Sequence, residues 1–444
     1  MNFIITGDSL FSSQNLAQTI DEALVAKLQT ADAVFTNAEF VTPNLATPPA
    51  AGRGYVTSVR PALLDEFTKL NIRYVGFANN HTGDFGIQGM LDTLEESRKR
   101  NIIPLGIAEN LYNARKPVFI DHADCRIALI TVDVTRSEVF AALDSANGLP
   151  ARPGVNPLRW DRKYVVSPKD LQSLEAISQR SGFSASMDEA KKIELWKAAD
   201  SRKQLDLGSF FEGYISFVAG EQPGVETTAK ESDRQAILAS IEDAKKRSDF
   251  VFVSLHTHEG ENENWYSEYP AAFIEQFSQA AIDAGANIVF GHGAHFTRGI
   301  QNYHGGTIFY NLGSLLMEFE AGESLLPSEM NEAYGYASAE LPSTLHGNRV
   351  KDSDGNWQGF YSDPKFEENF LVSFDLKSGQ EPQFQLIATN LQLRNDRVTK
   401  RGLPIIADAR SRRHLIAHLN AVSQERYLTE IVEENGVIKV RSLE

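Results

Sequence analysis

Cysteine is almost absent. Cys125 stands alone in 444 residues, so no disulfide forms within the chain and no cysteine cluster holds a metal. Long apolar runs are missing too, since none reaches the roughly 18 residues of a membrane-spanning helix. No basic region followed by an apolar stretch precedes Gly7-Asp8, so no signal peptide is expected. Positive charge is in deficit: 43 Lys and Arg face 59 Asp and Glu, a formal net charge of −16. A general nucleic-acid binder or a binder of anionic membranes needs a basic face, and this balance argues against both. There is no Gly-x-x-x-x-Gly-Lys loop, no internal repeat and no low-complexity tract, so ATP-driven chemistry by a P-loop has no support. The expected setting is the cytoplasm.

What is present is ordinary in bulk and unusual in arrangement. A 42% hydrophobic and 23% charged composition suits a globular protein, and the length suits one large domain with insertions or two to three smaller ones. The stretch Gly76-Phe-Ala-Asn-Asn80-His81-Thr-Gly-Asp84-Phe-Gly86 follows the apolar run Tyr74–Ala78 and precedes a helix pattern from Gln88 to Arg100. It sets an amide and an imidazole at the C-terminal end of a strand, where open α/β sheets collect ligands. Taken alone, it reads equally as an Asn-rich turn capping the next helix.

The arrangement recurs. Phe3–Thr6 runs into Asp8, Ala33–Thr36 into Asn37 and Glu39, Asp249–Leu255 into His256 and His258, and Asn287–Phe290 into His292 and His295. If these strands share a sheet, Asp8, Glu39, Asn80, His81, His256, His292 and His295 meet at one edge. Carboxylate, amide and imidazole donors together suit a borderline divalent metal such as Mn, Fe or Zn.

Other residues carry paired readings. Asp84, three residues after His81, either orients it as a general acid or base or caps the following helix. His258 is an extra ligand, a second acid/base or a substrate-facing loop histidine. Glu261 is placed to orient a ligand histidine from behind. Arg53 and Arg60, in or beside the Pro-, Gly- and Ala-rich loop 42–61, and Arg298 after His295 are candidate clamps for an anionic substrate. Arg159 and Trp160 are further candidate substrate contacts.

The organisation expected is an N-terminal half over 1–135, a mostly helical insertion over 136–248, a second half over 249–405 and a helix-and-strand extension over 406–444. Helices are expected at Leu16–Leu28, Pro168–Arg180, Met187–Gln204, Ser232–Arg247 (with Ser232 as N-cap) and Ala407–Glu433. Residues 320–365 read as long loops. Phe370–Leu376 and Phe384–Asn390 read as strands of the second sheet.

The ordered set Gly-Asp8, Asn-x-Glu39, Ala-Asn-Asn80-His81-x-x-Asp84-x-Gly, His256-x-x-x-Gly-Glu261 and Gly-His292-x-x-His295 resembles the bacterial capsule-synthesis family CapA (PgsA), which is similar to the calcineurin-like metallophosphoesterases. The likeness runs from residue 3 to about residue 315, where Ile308–Ser314 resembles the family's closing strand and turn. It implies an α/β fold, a metallophosphatase-like four-layer α/β/β/α sandwich with a helical insertion. It also implies two divalent metals, one on Asp8, Glu39 and His295, the other on Glu39, Asn80, His256 and His292. Leu10 stands where the common phosphoesterase pattern has a histidine, so one metal position loses a ligand. The implied function is metal-dependent hydrolysis, with metal-activated water attacking a phosphoester or a γ-glutamyl/acyl substrate and His81 as general acid. The alternatives are an epimerase-type proton transfer on a peptide and a non-hydrolytic part in poly-γ-glutamate capsule biosynthesis. The substrate expected is an anionic small molecule or peptide, with no nucleic acid and no membrane span.

Overall fold

The Asn2–Leu10 strand, β1, is apolar on both sides: Phe3 and Ile5 face one way, Ile4 the other, and all three are buried. A strand buried on both faces requires a packed layer on each. Those layers are present in the computed structural model of the chain, which describes residues 1–53, 55–197, 200, 202–318 and 326–443.

Ile4, Val34 and Val75 pack under the helices Glu22–Thr30, Leu64–Lys69 and Gly86–Lys99 through Leu24, Phe67 and Leu94. On the opposite face, Phe3, Ile5 and Phe35 meet Leu129, Phe252 and Phe290 of a second sheet. Phe3–Phe252 and Phe35–Phe290 cross edge to face at 5.2 Å each, the arrangement their ring quadrupoles favour. The far face of the second sheet carries Ile130, Val253 and Val289 under the helices Glu231–Arg247 and Ala272–Asp283. The architecture is therefore a four-layer α/β/β/α sandwich. Each of these fully buried rings contributes about 2 kcal/mol through the area it removes from water.

Six parallel strands matter for the site. In the first sheet these are β1, β2 (Ala33–Ala38) and β3 (Tyr74–Gly76); in the second, β4 (Arg126–Asp133), β5 (Phe250–Thr257) and β6 (Ile288–Gly293). Asp8 pairs in register with Asn37, and His256 with both His292 and Asp133. Between Ile5 and Asp8 the β1–β2 register slips. The extra residue of this bulge turns Asp8 to the face that Phe3 and Ile5 occupy, between the sheets, where simple alternation would have sent it toward the outer helices.

Several expected elements differ. The stretch 136–248 is not mostly helical: Gln204–Ser209, Gly213–Ala219, Trp160–Val166 and Gly224–Ala229 form a four-stranded sheet. Among the described residues of this stretch, helices Pro168–Arg180 and Phe183–Ile193 accompany that sheet, whereas Glu231–Arg247 belongs to the outer layer of the sandwich. That last helix is capped at Lys230, with Ser232 inside its first turn. Leu16–Leu28 is two helices, Leu16–Thr19 and Glu22–Thr30, broken where the Asp21 side chain caps the second. Strands Glu368–Asp375 and Gln383–Asn390 join the first sheet rather than the second, Glu368–Asp375 pairing antiparallel with β1. The C-terminal helix ends at Tyr427, with Leu428 left-handed, and the chain returns as the hairpin Thr429–Glu434 and Val437–Ser442 on the same sheet. The loop region 320–365 contains helices Ser328–Ala333 and Pro342–Gly347, while its first residues, up to 325, lie outside the described residues.

Gly7 holds the bulge. A Cβ there would lie 1.8 Å from the Gly313 carbonyl oxygen, an immovable backbone atom. Gly7→Ala should therefore cost about 3 kcal/mol or more. Gly224→Ala, with nothing within 4 Å of the added atom, should stay within about 0.5 kcal/mol of wild type. Urea denaturation of the two variants checks the contrast, and equal midpoints would contradict it.

Candidate metal centre

The two sheets face each other with six parallel strands pointing the same way, so their C-terminal ends line one chamber. From the first sheet comes Asp8, fully buried, which accepts hydrogen bonds from Asn37 Nδ2 at 2.8 Å and from the Gly293 amide at 2.6 Å. Glu39 follows β2 with 1% exposure. From the second sheet come His256, His258, His292 and His295, the last at φ 63°, a left-handed backbone that aims its ring inward.

The imidazoles ring the two carboxylates. Asp8 lies 3.4 Å from His292 Nδ1, 3.7 Å from His256 Nδ1 and 3.5 Å from His295 Nδ1. Glu39 lies 3.8 Å from His256 Nε2, 3.6 Å from His258 Nε2 and 3.5 Å from His295 Nε2. The other nitrogen of His292, Nε2, meets Ser254 Oγ at 2.6 Å, which fixes the ring from behind. Asn80 Oδ1 lies 2.6 Å from His256 Nε2.

Three sets of donor atoms each fall within 4.8 Å of one another: Asp8, Glu39 and His295; Asp8, His256 and His292; Glu39, His256 and His258. Glu39 Oε2 and His258 Nε2 are buried with no hydrogen-bond partner among the described residues. Buried polar atoms are rarely left so. Mixed carboxylate and imidazole donors, two of them orphaned, fit divalent metal ions.

Burial works against charge throughout the chamber. It raises the Asp8 carboxyl, but the hydrogen bonds of His256, His292 and His295 outweigh it and hold Asp8 well below the usual range. Glu39 has no such relief: burial, then the charges of Asp8, Asp84 and Asp133, push it well above. Burial lowers His256 to about 4 in spite of Asp8, and holds His258 well below its ordinary value with help from His256 and His295. Both rings are therefore neutral near pH 7, the state that ligates a metal.

At the mouth of the chamber, Asp84 Oδ2 meets His81 Nδ1 at 2.6 Å. Asp84 is itself fixed by Arg53 Nε at 2.9 Å and the Thr57 amide at 2.7 Å. With its carboxylate thus occupied as acceptor, the His81 proton sits on Nδ1 and Nε2 faces Glu39 at 3.8 Å.

Some expected roles change. Arg298 is wholly buried and donates to the backbone carbonyls of His258, Glu259, Trp265 and Ser267, so its guanidinium braces that loop. His258 lies among the ligand candidates rather than outside them. Arg53 reaches Asp84 and the Asn80 carbonyl, so it orders the His81 turn. Arg60 is exposed at the start of the 3-10 turn Pro61–Leu63. Glu261 is exposed and pairs with Arg426, and the inner carboxylate is Glu259, bonded to Thr135 and Thr257 at 2.8 Å each. Arg159 is taken by Asp233, and Trp160 stacks on Phe273 at 4.9 Å. Asn37, Glu259 and Asp133 were missed as site residues. Asp133 ends the run Ile127–Val132 as the candidate donors end theirs, so the same strand-end pattern applied to β4 points to it.

Comparison with known proteins finds several relatives. An uncharacterised protein of Sinorhizobium fredii is 27% identical over 427 residues, covering 94% of this chain and 87% of that one. The PGA biosynthesis protein CapA of Bacillus subtilis is 24% identical over 253 residues, 56% of this chain and 43% of that one. A probable polyglutamine synthesis accessory protein of Mycobacterium tuberculosis is 24% identical over 283 residues, 62% of this chain and 54% of that one. The chain thus aligns with about half the length of these last two. A solved phosphatase structure from Mycoplasma pneumoniae aligns over 88% of this chain and 94% of that one, at 11% identity and a TM-score of 0.35. Among the described residues no helix is long and apolar enough to cross a membrane. The family model for the bacterial capsule synthesis protein PGA_cap matches residues 3–318, and the chain belongs to that family.

Proposed function

We propose that the chain is a metal-dependent hydrolase, acting on a phosphoester or on an acyl bond of the γ-glutamyl type. One observation carries the reading: Asp8 and Glu39, buried side by side, are ringed by four histidines, and the donor sets each close within 4.8 Å. Asp8, Glu39 and His295 would hold one divalent ion; His256 and His292, with Glu39, Asn80 or His258, would hold the other. Such ions lower the pKa of water and polarise a phosphoryl or acyl oxygen. The chain's own groups supply the rest. In its doubly protonated form His81, oriented by Asp84 through Nδ1, carries a proton on Nε2 and would give it to the leaving oxygen or nitrogen as the P–O or C–N bond breaks; the proton released by the attacking water restores it. The names of the capsule and PGA biosynthesis relatives support placing glutamyl amides beside phosphoesters in a substrate screen.

A second reading, proton transfer at a carbon beside a carbonyl, is favoured by one feature. Asp84 holds the His81 proton on Nδ1 at 2.6 Å, which leaves Nε2 as a base for such a transfer, with the same metal site polarising the carbonyl. Deuterium uptake from heavy water into a peptide, without cleavage, separates it from hydrolysis.

Elemental analysis of protein purified without chelator should find about two equivalents of Mn, Fe or Zn. His292→Ala should lower that by about one. No metal after incubation with excess Mn would overturn the proposal. His81→Ala should keep its metal and lose about 10²- to 10⁴-fold in turnover of bis-p-nitrophenyl phosphate or γ-glutamyl-p-nitroanilide. Full rate in that variant would remove the acid role.

Acid should unfold the metal-free protein through its histidines. His256 takes a proton at about 4 in the folded chain and near 6.5 when unfolded. The unfolded state therefore binds the extra proton first, and stability falls as pH drops from 6.5 to 4, on the order of 3 kcal/mol for this residue. Glu39, held protonated, runs the other way. Comparing wild type with His256→Gln in chelator isolates the His256 contribution: the wild-type urea midpoint should fall more steeply over that window, and parallel curves would contradict the assignment.

A further inference from the structure

The segment that leaves β4 is stitched to the strand carrying two of the candidate donors. The Val134 amide donates to the His256 carbonyl at 3.0 Å, and the His258 amide donates to Thr135 Oγ1 at 2.9 Å. The next residue, Arg136, has a left-handed backbone, φ 56° and ψ 27°. A residue with a Cβ seldom takes that conformation, and such positions gather at functional sites. From there the side chain reaches Trp265, with the guanidinium carbon 5.9 Å from the centroid of the ring, a cation–π contact.

Trp265 links Arg136 to the metal centre. Its ring stands 4.7 Å from that of His258, and His258 Nε2 lies 3.6 Å from Glu39. Arg298 donates to the Trp265 carbonyl at 3.3 Å, which fixes the loop. The Trp265 side chain still faces outward, with 38% exposure, and Arg136 is exposed as well. Both line a cavity of about 1030 Å³ walled by the four-stranded sheet of the insertion and the loop after β5. A cavity of this size takes a ligand of several residues, and a ligand inside it can touch both side chains.

Four cations line that cavity: Arg136, Arg162, Lys163 and Lys197. Arg162 pairs with Glu263, and Lys163 with Asp200 at 3.2 Å. Among the described residues Arg136 and Lys197 have no ion pair and no side-chain hydrogen bond. Glu138, two residues beyond Arg136 in the same wall, is exposed and forms no ion pair with it. Of the two unpaired cations, only Arg136 lies over a ring that stands on a candidate metal donor. A guanidinium offers parallel N–H groups in one plane, which matches the two oxygens of a carboxylate. One such cation in a wall that also holds Glu138 balances a single negative charge better than the nearly two of a phosphate monoester.

We propose that Arg136, backed by Trp265, binds a carboxylate of the substrate in the cavity beside the metal centre. This deepens the hydrolase reading, resting on the chamber as a substrate site but not on turnover. A peptide C-terminus and an acidic side chain share this chemistry.

Calorimetry on the full Mn-loaded chain tests it with three N-acetylated peptides: trialanine with a free C-terminus, trialanine amide, and Ala-Glu-Ala amide, whose only carboxylate is a side chain. A carboxylate peptide should bind at least about fivefold tighter than trialanine amide, and which of them does so identifies the source. Arg136→Gln, shown folded by circular dichroism and with its metal content unchanged, should abolish the preference. Lys197→Gln should keep it. Equal affinity for all three peptides or no binding by any would overturn the proposal. So would a preference that persists in Arg136→Gln, which would put the carboxylate on the metal, or one that disappears in Lys197→Gln. The preference is read from binding, with or without metal, so failure of the hydrolase reading is distinguishable.

Discussion

The carboxylate pair Asp8 and Glu39 is the constraint on which the site depends. At an effective dielectric of about 20, two like charges about 4 Å apart repel by roughly 4 kcal/mol, before the larger cost of removing them from water. The protein answers only half of this. Asp8 receives an amide, a carboxamide and imidazoles and stays ionised; Glu39 receives no hydrogen bond on its buried Oε2 and is pushed toward its neutral form. The surrounding histidines cannot repay the debt as cations, since burial keeps His256 and His258 neutral. Divalent ions at this point would relieve the repulsion, accept the neutral imidazoles as ligands and give the orphaned oxygen a partner.

Such a cluster persists only on a scaffold that does not yield. The inter-sheet aromatic layer fixes the distance between the Asp8 and His256 strands, and parallel register fixes their relative height. The bulge at Gly7 decides which side Asp8 faces, and it is possible only because the backbone of Gly313 can approach a residue without a side chain. Rigidity continues outward: Arg298 ties together four carbonyls of the loop carrying His258, and Arg53 ties the turn carrying His81 and Asp84. Both arginines act as internal struts.

The clustering of the candidate donors was legible in the sequence because they end apolar runs, and a parallel sheet converts that one-dimensional pattern into one edge. The four layers were legible only through the resemblance to a known family. What escaped depends on partners far away in the chain. Arg298 reads as an anion clamp after a Gly-His motif, yet its acceptors are backbone carbonyls, which have no residue signature. The sheet of the insertion escaped because Gln204–Ser209 and Gly224–Ala229 are half-buried and polar, with no apolar run to announce them. Strands Glu368–Asp375 and Gln383–Asn390 were recognised, but sheet membership is set by pairing with a strand over 360 residues earlier in the chain, which local pattern does not encode.

The insertion bears on what the chamber selects. Its cavity wall carries both signs of charge, yet much of that charge is spent internally: Arg162 pairs with Glu263, Lys163 with Asp200 at 3.2 Å, and Arg202 with Asp200 and Glu226. A self-neutralised wall exerts little long-range pull on a polyanion, and the chain's overall charge of −16 repels one. Selection then falls to short-range contacts inside the chamber, where Glu39 Oε2 and His258 Nε2 stand buried without a hydrogen-bond partner among the described residues.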